Sequence, residues 1–294
     1  MSGAAAPVSG AIGRRGRRVA FLDWGGPGSD VPAVVLLHPN GFCAGVFDPV
    51  ARRLTDTFRV VGVDLLGHGG STRGDDPAEL GYDQMADGVL AVADALGLGR
   101  FSLAGVSLGG GVSVEVARQA GDRVVRAMLC EAIAFPAPPL VDGVPPHNPM
   151  ADGARRRRHL WPSREAMLAS YAKRAPLSEL HPDALAGYVR WGTTVLPSGE
   201  VQLACSGETE ATNFTTPRPG DGRRHAADAL ADIGCLAGRA SVLAGTRTYL
   251  AHEWFEAQAA GLGTTVEWVE GGHFFLLEDP DRGAALVRSH LAGG

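Results

Sequence analysis

Ser107 is the side chain whose surroundings in this sequence most clearly suit chemistry. It lies in Gly105-Val106-Ser107-Leu108-Gly109, directly after the apolar run 101–104 and directly before a helix-like stretch at 110–119. A serine between two glycines at a strand-to-helix junction is the sequence form of a nucleophile elbow, whose tight turn lifts the serine oxygen above the sheet. A chain with 41 glycines can produce this pattern by chance, so the position between strand and helix carries the argument. Ser107 is therefore the first candidate nucleophile.

A serine is a poor nucleophile at neutral pH, so Ser107 needs a base within hydrogen-bond reach. His273 lies in Gly271-Gly272-His273-Phe274-Phe275, just after a strand-like run at 265–269. The loops that follow parallel strands open at one edge of a sheet, so His273 and Ser107 are predicted to meet there. Two other histidines at this edge are expected to shape loops, His38 and His68. The remaining histidines are expected to be solvated or locally bonded: His147, His159, His181, His225, His252 and His290.

The reaction of a serine with a carbonyl also needs an oxyanion hole, that is, donors fixed where negative charge develops. One donor is predicted to be the backbone N–H of Leu108, directly after the nucleophile and at the positive end of a helix. The second is predicted in the loop 37–42, where Pro39 has no N–H to donate. Asn40 is the favoured residue in that loop, with Gly41 or Phe42 as alternatives.

Two parts of the sequence alternate strand-like and helix-like stretches, which predicts a mostly parallel sheet flanked by helices. The strand-like runs lie at 18–24, 34–37, 58–63, 101–104, 124–129, 240–244 and 265–269. The helix-like stretches lie near 46–56, 83–97, 108–120, 250–261 and 280–291. The run at 18–24 is expected to be an outer strand, joined to the next by the turn Gly25-Gly26-Pro27-Gly28.

The segment between these two parts has a different composition and is predicted to be a lid, at 136–225. It opens with prolines at 136, 138 and 139, which disfavour both helix and central strand. Helical patterns follow at 163–173 and 182–191, and a small hairpin is predicted at 193–204. Residues 16–135 and 226–294 then form one α/β core, and residues 1–15 are expected to be a flexible leader.

Composition excludes several classes of partner. The net charge of −5 over 294 residues gives no reason to expect nucleic acid, and no apolar stretch approaches the length of a membrane helix. The cysteines lack C-x-x-C spacing, so neither a metal site nor a redox pair is expected: Cys43, Cys130, Cys205 and Cys235. Reduced thiols favour a cytoplasmic location. A homodimer is compatible with the sequence, which does not determine the number of subunits.

Over residues 18–292 the chain resembles the α/β-hydrolase family. The matching motifs, in order, are His38-Pro39-Asn40-Gly41-Phe42, the run 64–71, the elbow at 105–109, and Gly272-His273 followed by Leu277-Glu278-Asp279-Pro280. The resemblance implies an α/β fold with a mostly parallel eight-stranded sheet flanked by helices and a mainly helical lid after the sixth strand. It also implies a Ser/acid/His triad that needs neither cofactor nor metal.

The acid is where the sequence departs from the family pattern. Many members carry an aspartate after the seventh strand, whereas the corresponding residue here is Thr248. Other members place the acid after the sixth strand, where this chain has Glu131, and a carboxylate at the end of an apolar strand is costly without a partner. Glu131 is therefore predicted to be the third triad residue. The alternatives are an ion pair between Glu131 and Arg247, orientation of the histidine by Thr248 alone, and Glu253 as the acid.

The remaining predictions concern the lid and the pocket. The basic run Arg155 to Arg158 is expected to be a solvated helix face, and Glu278 and Asp279 are expected to cap the last helix. The lid is expected to have its own small aromatic core: Trp161, Tyr171, Trp191 and Phe214. Four aromatic residues are predicted to flank an apolar pocket: Phe42, Phe47, Phe135 and Phe274.

These residues predict a serine hydrolase that acts on a small apolar carboxylic ester or lactone. Perhydrolysis, carbon–carbon bond hydrolysis or acyl transfer by the same triad remain alternatives, since the triad residues do not separate them. A non-catalytic small-molecule receptor is a further alternative, which the threonine at position 248 keeps open.

Overall fold

A computed structural model describes residues 6–28, 31–74, 76–215 and 222–292. The strands, in chain order, are β1 Val8–Arg14, β2 Arg17–Gly25, β3 Ala33–Leu37, β4 Arg59–Val63, β5 Phe101–Val106, β6 Val124–Cys130, β7 Leu160–Trp161, β8 Thr193–Val195, β9 Val201–Leu203, β10 Ala240–Gly245 and β11 Val266–Val269. The α-helices are α1 Asp48–Leu54, α2 Tyr82–Ala95, α3 Leu108–Ala120, α4 Pro149–Arg155, α5 Arg164–Tyr171, α6 Pro182–Trp191, α7 Gly207–Phe214, α8 Ala226–Asp232, α9 His252–Leu262, α10 Phe275–Glu278 and α11 Pro280–Leu291.

The central sheet has eight strands in the order β1-β2-β4-β3-β5-β6-β10-β11. The first hairpin is antiparallel, β2 pairs antiparallel with β4, and the pairings from β4 to β11 are parallel. The sequence order and the spatial order differ because helices cross between parallel strands. The predicted fold class, a mostly parallel eight-stranded sheet flanked by helices, is confirmed.

Both faces of the sheet are buried, which explains why its central strands are apolar without interruption. In β3, Val35 and Leu37 pack into one apolar cluster with residues of α2, α3 and α9. The alternate residues Val34 and Leu36 pack into a second cluster with residues of α1 and α11. The two clusters hold the carboxyl ends of β5 and β6 in place between helices, and these two strands carry Ser107 and Glu131.

The predicted flexible leader is wrong for the part of residues 1–15 that the structure describes. Val8–Arg14 forms strand β1 and pairs along its whole length with β2, so the run at 18–24 is the second strand of the sheet. The hairpin turns at Arg15 and Gly16, which both have positive φ angles of 49° and 78°. Such a turn usually carries Asn-Gly or Asp-Gly, so Arg-Gly gave no signal in the sequence. Residues 1–5 lie outside the described part.

Residues 136–225, called the inserted segment below, contain α4 to α7 and a small antiparallel sheet in the order β7-β9-β8. The hairpin predicted at 193–204 is present as β8 and β9, and the helical pattern at 182–191 corresponds to α6. Strand β7 is only two residues long and was not predicted. That the inserted segment acts as a lid stays a prediction.

One member of the basic run in the inserted segment contradicts the expectation of a solvated face. Arg155 is exposed and pairs with Glu208, as a surface arginine does. Arg157 is mostly covered instead, with 17% of its side chain exposed. It lies 2.6 Å from a carboxylate oxygen of Glu210 and also donates to the hydroxyls of Tyr171 and Tyr188. A charge run in sequence does not show which of its members faces inward. Arg157 therefore belongs to the interior of the inserted segment.

The predicted aromatic core of the inserted segment is present in part. Trp161 and Tyr171 are buried and pack edge to face, with ring centroids 5.3 Å apart. Trp191 is half-buried and packs against Gly45 of the core. Phe214 packs against a separate small cluster of alanines from α4 and α7.

Candidate active site

Ser107 stands on a strained turn between β5 and α3. Its backbone angles are φ 56° and ψ −116°, a conformation that residues other than glycine rarely adopt. The flanking glycines are required by close packing: a Cβ at Gly105 would lie 2.3 Å from the Gly109 carbonyl oxygen, and one at Gly109 would lie 2.1 Å from the Leu37 carbonyl oxygen. Glycine at both positions thus lets β5, α3 and β3 approach more closely than residues with a Cβ would allow.

Backbone hydrogen bonds tie this turn to the end of β6. The N–H of Ser107 donates to the carbonyl of Cys130 at 2.9 Å, and the carbonyl of Ser107 accepts from the N–H of Ile133 at 3.0 Å. Glu131 lies between these two partners and itself has a positive φ of 51°. The elbow and the loop that carries the predicted acid are therefore one hydrogen-bonded unit.

Glu131 and His273 form a buried hydrogen-bonded pair. The Nδ1 atom of His273 lies 2.8 Å from Oε2 of Glu131, with the carboxylate fully buried and the imidazole 5% exposed. When Nδ1–H donates to a carboxylate, the neutral ring carries its lone pair on Nε2, which can then accept a proton. His273 and Ser107 line the same pocket, as the sequence predicts.

The carboxylate of Glu131 is satisfied on both oxygens. Oε1 accepts from the N–H of Gly245 at 2.6 Å, and Oε2 also accepts from the hydroxyl of Thr248 at 2.6 Å. Thr248, at the position where the family resemblance implies an aspartate, therefore contacts the predicted acid Glu131. The alternative pairing with Arg247 is wrong: Arg247 reaches Glu278 at 3.5 Å. The reserve acid Glu253 is exposed on α9.

Glu278 supports the loop of His273, a role that the sequence patterns did not predict. Its carboxylate accepts from the N–H of Gly272 at 2.9 Å, one residue before the histidine. Burial raises the pKa of Glu278 above its ordinary value. The expectation that Glu278 caps the last helix is wrong, because Asp279 alone accepts from the first backbone N–H groups of α11. The pair of glycines before His273 was the available signal, since a backbone N–H there needs an acceptor.

The predicted oxyanion loop leaves one backbone N–H available. Gly41 donates to Nε2 of His68 at 3.0 Å, and Phe42 donates to the carbonyl of Pro39 at 3.2 Å. Within the described part of the chain, no group accepts from the N–H of Asn40. The structure therefore favours Asn40 over its two alternatives in the loop.

The other predicted donor, Leu108, begins helix α3. The N–H groups of Gly110 and Gly111 turn back to the carbonyl of Ser107, at 3.0 and 3.2 Å. The N–H of Leu108 has no intrahelical partner, because the first turn of a helix offers none, and no other described residue accepts from it. Leu108 lines the pocket beside Ser107.

His38 and His68 bond to the backbone of the predicted oxyanion loop and of the loop 65–68, in line with the expectation that they shape loops. The Nδ1–H of His38 donates to the Pro39 carbonyl at 2.8 Å, and its Nε2 accepts from the N–H of Leu65 at 3.0 Å. Burial lowers the pKa of His38 well below its usual range and that of His68 to about 4. Both rings are therefore neutral at pH 7, each with one donor and one acceptor nitrogen.

The inserted segment contacts this loop from the other side. The side-chain amide of Asn40 donates to the carbonyl of Glu210 at 2.9 Å, and its Oδ1 accepts from the side chain of Asn213 at 3.0 Å. A Cβ at Gly41 would lie 2.7 Å from the Glu210 carboxylate and 3.0 Å from Arg157. The ion pair of Arg157 and Glu210 thus packs directly on the predicted oxyanion loop.

A pocket of about 100 Å³ opens above Ser107. Its walls are mainly apolar and aromatic, with a few amides and imidazoles: Pro39, Asn40, Tyr82, Ser107, Leu108, Ile133, Phe135, Asn148, Met150, Asn213, Phe214, His225, Tyr249, Leu250, Trp254, His273 and Phe274. Two of the predicted aromatic residues, Phe135 and Phe274, line it, and Phe42 packs behind Phe274 at 5.2 Å between ring centroids. Phe47 lies in the core cluster instead.

No group of three His, Cys, Asp or Glu side chains in the described ranges could hold a metal ion. Among the same residues, no helix combines the length and apolar character needed to cross a bilayer.

Comparison with known proteins shows which proteins the chain resembles. One relative is a pimeloyl-[acyl-carrier protein] methyl ester esterase from Nitrosomonas europaea, 42% identical over 98 residues, which are 33% of this chain and 36% of that protein. The chain thus matches about a third of the length of this curated relative. Two solved structures share the fold over nearly all of both chains. They are a thioesterase domain from the curacin biosynthetic pathway (TM-score 0.78, 16% identity, 97% and 100% covered) and the enol-lactonase from Burkholderia xenovorans LB400 (TM-score 0.70, 22% identity, 96% and 99% covered).

A family model extends the likeness beyond the matched third. The model described as the alpha/beta hydrolase family matches residues 34–286, which include Ser107, Glu131 and His273. This match runs from β3 to the last helix and so includes the inserted segment. The chain belongs to the alpha/beta hydrolase family.

Proposed function

We propose that this protein is a cofactor-independent serine hydrolase that cleaves a carboxylic ester or lactone through an acyl-serine intermediate. One observation carries the proposal: the buried 2.8 Å hydrogen bond between Glu131 and His273, at the wall of the pocket that also contains Ser107. A carboxylate that orients an imidazole beside a strained serine is the arrangement that activates a serine hydroxyl.

The first half of the reaction forms the acyl-serine. Nε2 of His273 removes the proton of the Ser107 hydroxyl while Oγ attacks the substrate carbonyl carbon. The Glu131 carboxylate stabilises the resulting imidazolium. The N–H groups of Leu108 and Asn40 stabilise the oxyanion, and the imidazolium then protonates the leaving alkoxide as the ester bond breaks.

The second half regenerates the enzyme. His273 takes a proton from a water molecule, which attacks the acyl carbonyl, and the same two N–H groups hold the second oxyanion. The imidazolium returns its proton to Oγ of Ser107 as the acid is released. With a lactone, the alcohol and the acid leave as one hydroxy acid.

An ester or lactone of modest size and apolar character suits the pocket. Phe135 stacks on Trp254 at 4.0 Å between ring centroids, so one wall is a flat aromatic surface. The names of two similar proteins, a methyl ester esterase and an enol-lactonase, support this substrate class. The site needs no cofactor for these steps, because acyl transfer through serine moves only protons and the acyl group.

The test is hydrolysis of short p-nitrophenyl esters and labelling by a fluorophosphonate, before and after Ser107→Ala. The variant should lose at least about 10³-fold in kcat/KM and all labelling, since the nucleophile is gone. Ser289→Ala, on the exposed face of α11, is the matched control and should keep both. Unchanged hydrolysis or labelling in Ser107→Ala would refute the proposal, and an unreactive parent protein would favour a non-catalytic receptor.

A further inference from the structure

Tyr249 is an exposed aromatic residue in the wall of the pocket above Ser107. It lies in the loop between β10 and α9 and is 54% exposed. Its ring contacts the imidazole of His273, with ring centroids 5.0 Å apart. The proposed triad and oxyanion hole do not use this ring. An accessible aromatic ring in the wall of an apolar pocket is a surface that a ligand can cover.

Two aromatic rings pack on the imidazole of His273, and they differ in exposure. Phe274 lies 4.7 Å from the imidazole between ring centroids, is 6% exposed and packs against Phe42. Most of its surface is therefore already covered by the protein. Of the two rings, Tyr249 offers far more free surface to a group bound beside His273.

The loop that carries Tyr249 is fixed to the proposed acid of the triad. The hydroxyl of Thr248, the preceding residue, donates to Glu131 at 2.6 Å and accepts from the N–H of Leu250, the following residue, at 3.1 Å. The N–H of Gly245, at the end of β10, donates to the other oxygen of Glu131 at 2.6 Å. The contacts that hold the carboxylate thus also hold Tyr249, so this loop loses little conformational entropy when a ligand binds.

The proposed reaction defines which part of an ester lies beside His273. The imidazolium protonates the leaving alkoxide, so the alcohol oxygen must come within about 3 Å of Nε2 of His273. The acyl carbon is bonded to Oγ of Ser107 at that stage, and the alcohol part extends away from it. A ring attached one carbon from the alcohol oxygen can reach the separation of about 4.5–7 Å at which aromatic pairs interact with Tyr249.

We propose that the ring of Tyr249 binds the alcohol part of the ester and makes the site selective for aromatic alcohols. This inference rests on the proposed function, because it takes His273 as the group that protonates the leaving alcohol. The face of Tyr249 packs on the ring of the alcohol while Ser107 attacks the carbonyl. Tyr249 is therefore a specificity residue for the alcohol and not for the acid.

The experiment compares benzyl butyrate with cyclohexylmethyl butyrate, which have the same acyl group and alcohols of similar size. The measurement is the ratio of their kcat/KM values in the parent protein and in Tyr249→Leu. The saturated ring is at least as apolar as the aromatic one, so burial of area alone does not favour the benzyl ester. The ratio of benzyl to cyclohexylmethyl ester should fall by about threefold to tenfold in Tyr249→Leu, because aromatic pairing is lost.

Three comparisons make this ratio decisive. Tyr249→Phe keeps the ring and should keep the parental ratio. Trp268→Leu removes another exposed aromatic residue, on β11 and outside the pocket wall, and should also keep it. The ratio of benzyl acetate to benzyl butyrate, which have the same alcohol, should be the same in Tyr249→Leu as in the parent.

The inherent reactivity of each ester cancels when the parent and variant ratios are compared. An unchanged ratio of benzyl to cyclohexylmethyl ester in Tyr249→Leu would overturn the inference. A change in the ratio of the acetate to the butyrate instead would also overturn it, because the ring would then contact the acyl group.

A binding measurement separates this inference from the proposed function. Saturation-transfer NMR on the Ser107→Ala protein reports binding of benzyl butyrate and cyclohexylmethyl butyrate without turnover. The preference for the benzyl ester should fall when Tyr249→Leu is added to Ser107→Ala. That fall, together with a parent protein that hydrolyses neither ester, would support the role of Tyr249 and refute ester hydrolysis. Active hydrolysis with an unchanged preference in rate and binding would refute the role of Tyr249 alone.

Discussion

The hydroxyl of Thr248 donates to the same Oε2 oxygen of Glu131 that accepts from His273, at 2.6 and 2.8 Å respectively. Thr248 therefore contacts Glu131, the acid of the proposed triad, so a threonine at position 248 is compatible with that triad. Two hydrogen bonds to one oxygen fix the direction of the carboxylate. Substitution of Glu131 and of Thr248 measures how much each contact contributes to activity.

Replacement of Glu131 by Gln should reduce kcat by about 10²- to 10⁴-fold, because the amide cannot stabilise an imidazolium by charge. Glu253→Gln is the matched control, since Glu253 is exposed on α9, and it should retain the parental kcat. The measurement is hydrolysis of a p-nitrophenyl ester at saturating substrate. Equal and small losses in both variants would contradict the assignment of Glu131.

Replacement of Thr248 by Val should cost less than the loss of Glu131, about tenfold in kcat, because the carboxylate keeps its bond from the Gly245 N–H. Thr248→Ser retains a hydroxyl and should keep most of the activity. In the Glu131→Gln background, Thr248→Asp supplies a carboxylate at the more usual family position and should recover part of kcat. No recovery in the double variant would indicate that the residue 248 side chain cannot reach His273.

Substitution of Gly109 by Ala should destabilise the fold severely, by about 3 kcal/mol or more, because the new Cβ would lie 2.1 Å from the Leu37 carbonyl oxygen. Gly153→Ala is the control: it lies in α4, where a Cβ meets no atom within 4 Å. Alanine is the better helix former, so Gly153→Ala should raise the free energy of unfolding by up to about 1 kcal/mol. Urea unfolding measures both, and a Gly109→Ala protein as stable as the parent would contradict the packing described here.

The ion pair between Arg157 and Glu210 should support both stability and the oxyanion loop. Arg157→Met leaves the Glu210 carboxylate, whose side chain is 13% exposed, unpaired under Gly41, which should cost about 3 kcal/mol. The double variant Arg157→Met with Glu210→Gln should recover part of that loss, since no charge remains unpaired.

The exposed pair of Arg155 and Glu208 provides the comparison for that experiment. Arg155→Met should change the free energy of unfolding by less than about 1 kcal/mol, because surface pairs contribute little. If the predicted oxyanion loop depends on the pair of Arg157 and Glu210, kcat should fall with Arg157→Met and not with Arg155→Met. Similar changes in the free energy of unfolding and in kcat in the two variants would contradict a special role for the pair of Arg157 and Glu210.

The pH dependence of stability should reflect His68, whose pKa burial lowers from 6.5 to about 4. Between these values the unfolded chain binds a proton that the folded protein does not, so stability rises with pH in this range and falls on acidification. The loss from pH 7 to pH 4 due to this group is about 3 kcal/mol. Asp64 acts in the opposite direction, because burial raises its pKa to about 6 and its carboxylate charges at a cost as pH rises.

A comparison with His68→Gln isolates His68 from Asp64 and from His38, whose pKa is also lowered by burial and which acts in the same direction as His68. Glutamine does not titrate, and its amide oxygen can accept from the Gly41 N–H. Urea unfolding from pH 4.5 to 7.5 should show a shallower rise of stability with pH in His68→Gln than in the parent. Parallel profiles would mean that His68 does not change its protonation on unfolding.

The sequence by itself determined the order of the core elements and the identity of Ser107 and His273 as the residues to examine. Apolar runs long enough only for buried strands, each followed by a helical pattern, permit little besides a parallel sheet, and the loops at its carboxyl edge then collect those two residues. The hairpin of β1 and β2 was not predicted, because its turn residues, Arg15 and Gly16, are not a pair typical of hairpin turns. The alternation of strand-like and helix-like stretches recurs along the chain and therefore predicts the core elements. A single turn offers only two residues, and Arg-Gly is not typical of a hairpin turn.

Only the tertiary structure decided which carboxylate faces His273 and what Thr248 contacts. Glu131, Glu253 and Thr248 are each compatible with the sequence, because hydrogen bonds between residues over 100 positions apart depend on how β6 and β10 pair. The same holds for the ion pair of Arg157 with Glu210, because a run of four arginines does not show which of them faces inward. Burial and hydrogen-bond direction arise from packing of distant segments, and one-dimensional patterns do not encode them.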